Sequence, residues 1–249
     1  MEIMQVLLDD PKPWKQAIDA LYSFLPEGVF YFGEEGVRLN AIDPSQVVLV
    51  DFFAPRSIFT KYELSSPPIR VPLDLSEYTK ILARVSGEDR LSMALEDVNL
   101  SVILERPDGS LRREFYVPLM DVPDREAEIS PVEGTVTVKI LGKIMKDALK
   151  DAGIFSSSAV LVARDDIFMV EAKGQAGVTR TVARRGDAVK IEGGPEAVSR
   201  YSLSFLQNII RPADPDSFVT LSFGNDTPLS ISYKIGDISL RFYLAHMIL

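Results

Sequence analysis

Side chains that commonly carry out chemistry are scarce in this sequence. Histidine occurs once, as His246, and cysteine does not occur at all. These counts exclude a catalytic triad with a histidine base and a histidine metal cluster. They also exclude a cysteine nucleophile, a thiolate zinc site and a disulfide framework, and they fit a reducing cytoplasm.

Adjacent carboxylates are the remaining candidates for acid–base or metal chemistry. They occur at Asp9-Asp10, Glu34-Glu35 and Asp165-Asp166. The second and third pairs each precede a predicted strand at equivalent places of an internal repeat, as solvated turn residues do. No glycine-rich phosphate loop followed by Lys-Ser/Thr occurs, and no Gly-x-Gly-x-x-Gly follows a strand. We therefore predict no catalytic residues, no metal and no cofactor, and hence a protein that is not an enzyme.

Basic residues, by contrast, concentrate on predicted helices. Apolar periodicity indicates four of them, at Pro13 to Phe24, Leu75 to Val85, Leu141 to Ala152 and Leu203 to Ile210. Their cations are Lys12, Lys15, Lys80, Arg84, Lys143, Lys146, Lys150 and Arg211. The whole chain has a formal net charge of −9, which argues against a uniformly basic nucleic-acid binder. A basic surface on an acidic protein indicates contact with phosphates without reading of the bases.

The elements that position these residues form an internal repeat. Alternating runs such as "VVLVDFFAP" and "LSISYKI" predict strands. Leu73 to Leu95 aligns with Tyr201 to Phe223 without a gap at an offset of 128, and "EEGVRLNAID" matches "RDDIFMVEAKG" at an offset of 130. We interpret the chain as a duplicated β-rich unit with two helices. The alternative is a chance alignment of generic amphipathic patterns.

Length and composition fit a two-domain globular protein. The 249 residues are 46% hydrophobic and 25% charged, which is ordinary for globular chains. No signal-peptide pattern and no membrane-spanning apolar run occur, so we expect a soluble, unexported protein. The acidic, proline-containing stretch Met120 to Gly134 predicts an extended connector between the halves.

Four segments of the sequence are distinctive in combination: "NAIDPSQVVLVDFF", "KILARVSGED", "PLMD" and "VTLSFGNDTPLSISYKIGDISLRFYLA". Taken together, they resemble the proliferating cell nuclear antigen family, the replication sliding clamps of archaea and eukaryotes. The similarity is colinear over essentially the whole chain and is greatest to archaeal members. Two features depart from the family: His246 to Leu249 replace a proline, a basic residue and an acidic tail, and Ala127 replaces a larger apolar residue.

The resemblance implies an α+β fold of two similar domains, each with two helices, in a head-to-tail ring of three subunits. We expect an N-terminal clamp domain at 1–119, a linker at 120–134 and a C-terminal clamp domain at 135–249. The basic helices would face duplex DNA in the central hole. An exposed strand edge invites pairing, so we predict ring closure between edge strands that contain Arg112, Phe115 and Tyr116 on one side and Val178, Arg180 and Val182 on the other.

The resemblance also implies clients and a place where they dock. DNA polymerase, flap endonuclease, DNA ligase and the clamp loader would bind through Gln-x-x-apolar-x-x-aromatic-aromatic peptides. Their groove would be formed by Ile42, Gln46, Leu49, Ala127, Ile129, Pro228, Tyr243 and Ala245. We expect a cytoplasmic, nucleoid-associated processivity factor in DNA replication and repair. The alternatives are a checkpoint-type clamp and one subunit of a heterotrimeric clamp built with paralogues.

Overall fold

The computed structural model describes residues 3–96, 98–123 and 134–248. Within these ranges the chain divides into two compact units. The first comprises Met1–Pro44, Val50–Ala127 and Ile235–Leu240, and the second comprises Ser45–Leu49, Glu128–Lys234 and Arg241–Leu249. The predicted linker residues 124–133 lie outside the described residues, so the domain boundaries stay a prediction.

The first half of the chain contains two helices and nine strands among its described residues. The helices are α1 (Lys12–Tyr22) and α2 (Leu75–Leu82). The strands are β1 (Met4–Leu8), β2 (Glu27–Phe32), β3 (Gly36–Ile42), β4 (Val48–Pro55), β5 (Lys61–Leu64), β6 (Ile69–Asp74), β7 (Arg90–Glu96), β8 (Asn99–Glu105) and β9 (Arg112–Pro118).

The second half repeats this inventory. Its helices are α3 (Gly142–Ala152) and α4 (Leu203–Ile210). Its strands are β10 (Val136–Leu141), β11 (Ser158–Arg164), β12 (Ile167–Gly174), β13 (Gly177–Arg184), β14 (Val189–Gly193), β15 (Glu196–Ser202), β16 (Phe218–Phe223), β17 (Leu229–Ile235) and β18 (Ile238–Leu244).

The strand order confirms the predicted duplication. In the first half the strands run β5-β1-β7-β8-β9 and β4-β3-β2-β6, and in the second half they run β14-β10-β16-β17-β18 and β13-β12-β11-β15. Each strand of one series has a counterpart at the same place in the other. In this correspondence β18 takes the place of β9, and β13 takes the place of β4.

The four helices agree with the predicted stretches, with small differences at their ends. Asp74 caps α2, since its carboxylate accepts from the backbone N–H groups of Ser76 (2.8 Å) and Glu77 (3.2 Å). The prediction extended this helix to Val85, but it ends at Leu82 and the chain continues in turns. The Arg84 N–H donates to the carbonyl oxygen of Ile81 at 2.9 Å and the Val85 N–H to that of Leu82 at 3.1 Å. Ser86 and Gly87, which disfavour a helix interior, follow Val85.

An aromatic cluster forms the centre of the first unit. The Trp14 indole N–H donates to the Tyr78 hydroxyl at 2.8 Å, and the Tyr78 hydroxyl lies 3.0 Å from the Met93 sulfur. Trp14 also packs edge-on against Phe52, with ring centroids 5.9 Å apart. Because every polar atom of this cluster has a partner, its burial between α1, α2 and the sheet is not penalised.

In the second unit buried tyrosines join the helix α4 to the strands. The Tyr233 hydroxyl donates to the carbonyl oxygen of Ile209 at 2.6 Å, and its ring stacks on Phe242. Burial raises the pKa of Tyr233, so the hydroxyl stays a neutral donor. Helices α3 and α4 are joined in addition by Gln207, whose amide donates to the carbonyl oxygen of Leu149 at 3.0 Å.

Candidate DNA, partner and subunit surfaces

The predicted DNA-facing residues of the first unit lie on the outer faces of α1 and α2. Lys12, Lys80 and Arg84 are exposed, and Lys15 is half-buried. Lys15 pairs with Asp19 on the same helix at 3.4 Å, and Lys80 pairs with Glu77 at 2.6 Å. Exposed pairs of this kind contribute little free energy, so both ammonium groups can exchange their partner for a phosphate.

The second unit presents its cations in two different ways. Lys143 and Lys150 are exposed and form only exposed pairs, with Asp216 at 3.4 Å and with Asp147 at 3.8 Å. Arg211, at the end of α4, is also exposed. Lys146 differs, because its ammonium donates to the carbonyl oxygen of Ala213 at 2.5 Å. This contact ties α3 to the chain that follows α4, a role that the sequence did not indicate.

The turns that follow α2 are held by an ion pair with a buried carboxylate, which was not predicted from the sequence. Arg113 Nη2 lies 2.5 Å from Asp89 Oδ2, and Nη1 donates to the carbonyl oxygen of Arg84 at 3.0 Å. The Asp89 side chain is 0% exposed. Burial acts to raise the pKa of Asp89, but hydrogen bonds from Ser86 and the Arg113 charge outweigh it and lower the pKa.

Four of the predicted groove residues lie on or beside β4 and β18. The Ala245 N–H donates to the carbonyl oxygen of Val47 at 2.9 Å. Strands β4 and β18 are neighbours in the sheet. An antiparallel register that continues from this bond sets Tyr243 opposite Leu49. Both side chains are half-buried, and Ala245 is exposed. Gln46, in the turn before β4, is exposed and has a positive φ of 60°.

The other predicted groove residues are not brought together in one described unit. Pro228, just before β17, is half-buried in the second unit. Ile42 belongs to the first unit and is 49% exposed. Ala127 and Ile129 lie outside the described residues. The groove as a whole therefore remains a prediction, and Gln46, Leu49, Tyr243 and Ala245 are its described part.

The end of the chain pairs with its own fold. The Met247 N–H donates to the carbonyl oxygen of Arg200 on β15 at 2.7 Å. The corresponding bond in the first unit runs from the Met120 N–H to the carbonyl oxygen of Pro72, at 3.0 Å. Ile248 is nevertheless 90% exposed. The atypical tail is thus held by its backbone, while its apolar side chains face solvent.

The strands expected to close a ring are both edge strands. β9 and β13 each stand at an end of the strand order of the described residues, which confirms their predicted edge position. On β9 the outward residues form a small polar network. Arg112 Nε lies 2.6 Å from a carboxylate oxygen of Glu114, and the Tyr116 hydroxyl donates to Glu114 at 3.1 Å. The Arg112 guanidinium lowers the pKa of Glu114.

A cavity lies between α2 and β9 of the first unit, beside Phe115 of the predicted subunit contact. It has a volume of about 310 Å³ and is lined by Ile81, Phe115 and Val117, with Lys80 and Arg84 at its rim. Two cations predicted to face DNA thus lie next to the strand predicted to pair with another subunit. The cavity is open to solvent and offers Phe115 to an incoming side chain.

Edge strand β13 presents a mixed surface. Val178 is 46% and Val182 is 48% exposed, and both project from the face opposite the buried side chains. Arg180 lies between them and pairs with Glu171 on β12. Exposed valines on an unpaired edge are unusual for a monomer, because such edges invite association. Their assignment to a subunit interface stays a prediction.

The adjacent carboxylates occupy turns, as predicted. Glu34 and Glu35 precede β3, Asp165 and Asp166 precede β12, and all four are exposed. Asp165 has a positive φ of 50°, which suits an Asp in a tight turn. Among the described residues no three His, Asp or Glu side chains are placed to share a metal ion, and no helix is long and apolar enough to cross a membrane.

The fold and these surfaces define a class of protein with two repeated β-rich units and exposed cations on or beside its helices. A family model described as "Proliferating cell nuclear antigen, N-terminal domain" matches residues 4–127. The DNA polymerase sliding clamps of Thermococcus gammatolerans and Pyrococcus furiosus are each 33% identical to this chain, with 97% of both chains covered. The structure of PCNA from Thermococcus kodakaraensis has a TM-score of 0.92 at 29% identity, covering 98% of this chain and 100% of its own.

The chain belongs to the proliferating cell nuclear antigen family, and its function is that of a DNA polymerase sliding clamp. The resemblance found in the sequence and the predicted clamp fold are confirmed. The particular DNA contacts, partner contacts and subunit contacts remain to be derived from the residues of this chain.

Proposed function

We propose that three copies of the chain close head to tail into a ring, with β9 of each copy paired to β13 of the next. One observation carries this proposal. The counterparts of these strands, β18 and β4, are neighbours in the strand order, whereas β9 and β13 are both unpaired edges. A chain with two different complementary edges forms a heterologous contact, which closes into a ring when the rotation divides a circle.

The side chains on these edges support the pairing. On β9 Tyr116 is 64% exposed, and on β13 Val178 and Val182 are 46% and 48% exposed. Large apolar side chains at this level of exposure are typical of surfaces that a partner covers. The partner with a complementary edge is another copy or a close paralogue, so the ring is a homotrimer or a heterotrimer.

We propose further that the ring encircles duplex DNA and has no catalysis of its own. The exposed cations of α1 to α4 would contact phosphates transiently, since a clamp must slide. Six of the eight predicted contacts are lysines, and the other two, Arg84 and Arg211, are arginines. Lysine offers a single mobile charge, whereas arginine forms bidentate contacts that hold a phosphate in place. In the cell such a ring would be nucleoid-associated.

Client enzymes would dock in the groove around Leu49 and Tyr243. An extended peptide with an apolar residue and an aromatic pair fits an apolar depression beside a strand, where alternate side chains enter pockets. DNA polymerase, flap endonuclease, DNA ligase and the clamp loader are the clients that we propose. The clamp would then act by keeping a weakly bound enzyme at the DNA.

A primer-extension assay tests the proposal. The protein should lengthen the products of its polymerase on primed circular DNA when a clamp loader and ATP are present. On linear DNA with open ends the same amount should give less stimulation, because a ring slides off. Equal stimulation of both templates, or stimulation without loading, would contradict a topological mechanism. A requirement for a second, related chain would identify a heterotrimer.

A further inference from the structure

The duplication allows residues of the two halves to be matched one by one. The Arg56 N–H donates to the carbonyl oxygen of Glu35 at 2.8 Å, and the Arg185 N–H donates to that of Asp166 at 2.7 Å. Matching these two turns pairs the strands β4 and β13 residue by residue. It also pairs Glu35 with Asp166, so the offset of 130 predicted between β3 and β12 is wrong by one residue: buried Val37 corresponds to buried Phe168 and not to half-buried Ile167. Counting back along each strand makes Val178 the counterpart of Leu49, and Gln175 the counterpart of Gln46.

The same procedure matches β9 with β18. In the first half Met93 pairs with Val102, and Val102 pairs with Phe115. In the second half Leu221, the counterpart of Met93 at the offset of 128, pairs with Ile231. The two-residue turn between β17 and β18 then places Ile231 opposite Phe242. Phe242 is therefore the counterpart of Phe115. The next residues along these strands, Tyr243 and Tyr116, are counterparts as well.

The ring proposed above would bring these counterparts together between copies. Within one chain, the bond from Ala245 to Val47 sets Tyr243 opposite Leu49. The same register between copies sets Tyr116 of one copy opposite Val178 of the next. Both side chains project away from the core and are 64% and 46% exposed, so pairing of the strands leaves them on the outer face.

We infer that each junction between subunits carries a second peptide groove, built like the first one. This inference rests on the proposed ring. Its floor is Tyr116 of one copy and Val178 of the next, where the first groove has Tyr243 and Leu49. Its wall contains Gln175, where the first groove has Gln46. The same matching makes Lys173 the counterpart of Ile42 and Pro118 the counterpart of Ala245. The second groove therefore differs from the first at these positions as well as at Val178, and the change from Ile42 to Lys173 is the one that adds a charge.

A cavity borders this groove on the sheet that contains β13. It has a volume of about 470 Å³ and is lined by Val160, Lys173, Gln175 and Arg200, among others. It shares Lys173 and Gln175 with the groove, whereas Val178 lies outside its lining. Glu171 also borders the cavity, but its carboxylate is paired with Arg180. The cavity therefore combines the apolar side chain of Val160 with the positive charges of Lys173 and Arg200, which form no ion pair with a carboxylate of the described part of the chain.

This combination selects the occupant. A tyrosine and valine floor accepts apolar and aromatic side chains, as the first groove does. An ammonium in place of the Ile42 side chain favours a carboxylate at the peptide position that faces it. The second groove thus fits an acidic variant of the client peptide, and one ring could hold two kinds of client at alternating positions.

Peptide binding to a variant with a disabled first groove tests this. The background is the Leu49→Asp ring, with trimer formation verified by light scattering. The probes are a synthetic Gln-x-x-Leu-x-x-Phe-Phe peptide and the same peptide with aspartates on both sides of its leucine. Calorimetry should show one saturable site per chain for the acidic peptide, with affinity for the neutral peptide about tenfold weaker.

Three further variants assign the site. Lys173→Glu should lower the affinity for the acidic peptide about tenfold. Lys190→Glu, the same charge change on β14, should leave that affinity unaltered. Lys173→Ile should reverse the preference toward the neutral peptide. No saturable binding to the trimeric background, or binding that Lys173→Glu leaves unchanged, overturns the second groove.

The role of the junction is measured separately. Phe115→Ala together with Arg180→Glu should yield monomers. With Leu49 intact, these monomers should no longer bind the acidic peptide but should still bind the neutral peptide in the first groove. Acidic peptide still bound by monomers overturns the placement at a junction. A wild-type chain that does not form rings, alone or with a paralogue, would contradict the proposed closure and not the chemistry of the cavity.

Discussion

Arg113 on the edge strand β9 places its guanidinium Nη2 2.5 Å from Oδ2 of Asp89, which follows α2. The same guanidinium donates to the carbonyl oxygen of Arg84, in the turn that follows the helix. Strand β9 is proposed to join subunits and α2 to face DNA, so this pair links the two surfaces within the first unit.

Asp89→Asn should destabilise the protein by about 2 kcal/mol at neutral pH, because hydrogen bonds to a charged group are lost and Arg113 stays half-buried. The pKa of Asp89 is lowered in the folded state. Its contribution is therefore present above the unfolded pKa of about 3.9 and is lost as the pH falls through the lower folded pKa.

The measurement is urea unfolding of wild type and Asp89→Asn between neutral and acid pH. The difference in free energy of unfolding should narrow below about pH 4. Glu88→Gln, a change of the exposed neighbouring carboxylate, serves as a control and should have little effect. A difference that stays constant with pH would show that the Asp89 charge does not stabilise the fold.

Sequence patterns predicted the repeat and its helices well, because each half has the apolar periodicity of one fold. Helix α4 was predicted with the bounds that the structure gives it. The Asp89–Arg113 pair was not predicted, although a signal was present: Arg113 alternates with Phe115 and Val117, the inward positions of β9. A charged residue at an inward position requires a buried partner, but alternation alone does not identify that partner.

Contacts of exposed cations were harder to predict than their positions. The spacing of Lys143, Lys146 and Lys150 places them on one side of α3, yet Lys146 bonds to Ala213. Helical periodicity gives the direction of a side chain and contains nothing about a carbonyl group 67 residues away. The groove was predicted by resemblance alone, since its described residues come from strands distant in sequence.

Charge reversal tests the register of the proposed subunit contact. The register that sets Tyr116 opposite Val178 also sets Glu114 of one copy opposite Arg180 of the next. Glu114→Arg and Arg180→Glu should each shift the protein toward monomer, since like charges then face each other across the junction. The two changes together should recover much of the trimer.

Light scattering over a dilution series measures this. Lys139→Glu, an exposed cation on β10, is the control and should leave the trimer intact. A double variant that is no better assembled than either single one would contradict this register, whereas trimeric single variants would contradict the use of these edges.

Leu49→Asp should abolish binding of a neutral client peptide to the first groove. The change puts a charge opposite Tyr243 in an apolar depression, and a central apolar contact of this type is worth about 2 kcal/mol or more. We therefore expect affinity to fall at least about thirtyfold. Calorimetry with the isolated peptide reports this directly.

The ring must survive Leu49→Asp for that result to concern the groove. Phe218→Ser, at another exposed apolar side chain of the second unit (39% exposed), should leave peptide affinity unchanged and serves as the matched control. Unchanged peptide affinity in the Leu49→Asp variant would show that other residues form the groove.

The last prediction separates the two roles of the lysines on α3. Lys143 and Lys150 are exposed (56% and 77% of the side chain) and have only exposed partners. Changing both to Glu should weaken retention on circular DNA and lower the dependence of binding on salt, since each lost phosphate contact removes about one counterion from the exchange. The free energy of unfolding should change little.

Lys146→Gln removes a bond to a backbone carbonyl, so it should destabilise the fold by about 1 kcal/mol. It should affect DNA retention less than the double change does. Salt titration of filter binding on circular duplex and thermal unfolding measure the two effects. If the double variant retains DNA as well as wild type at every salt concentration, α3 does not face the DNA, and the basic helices need another explanation.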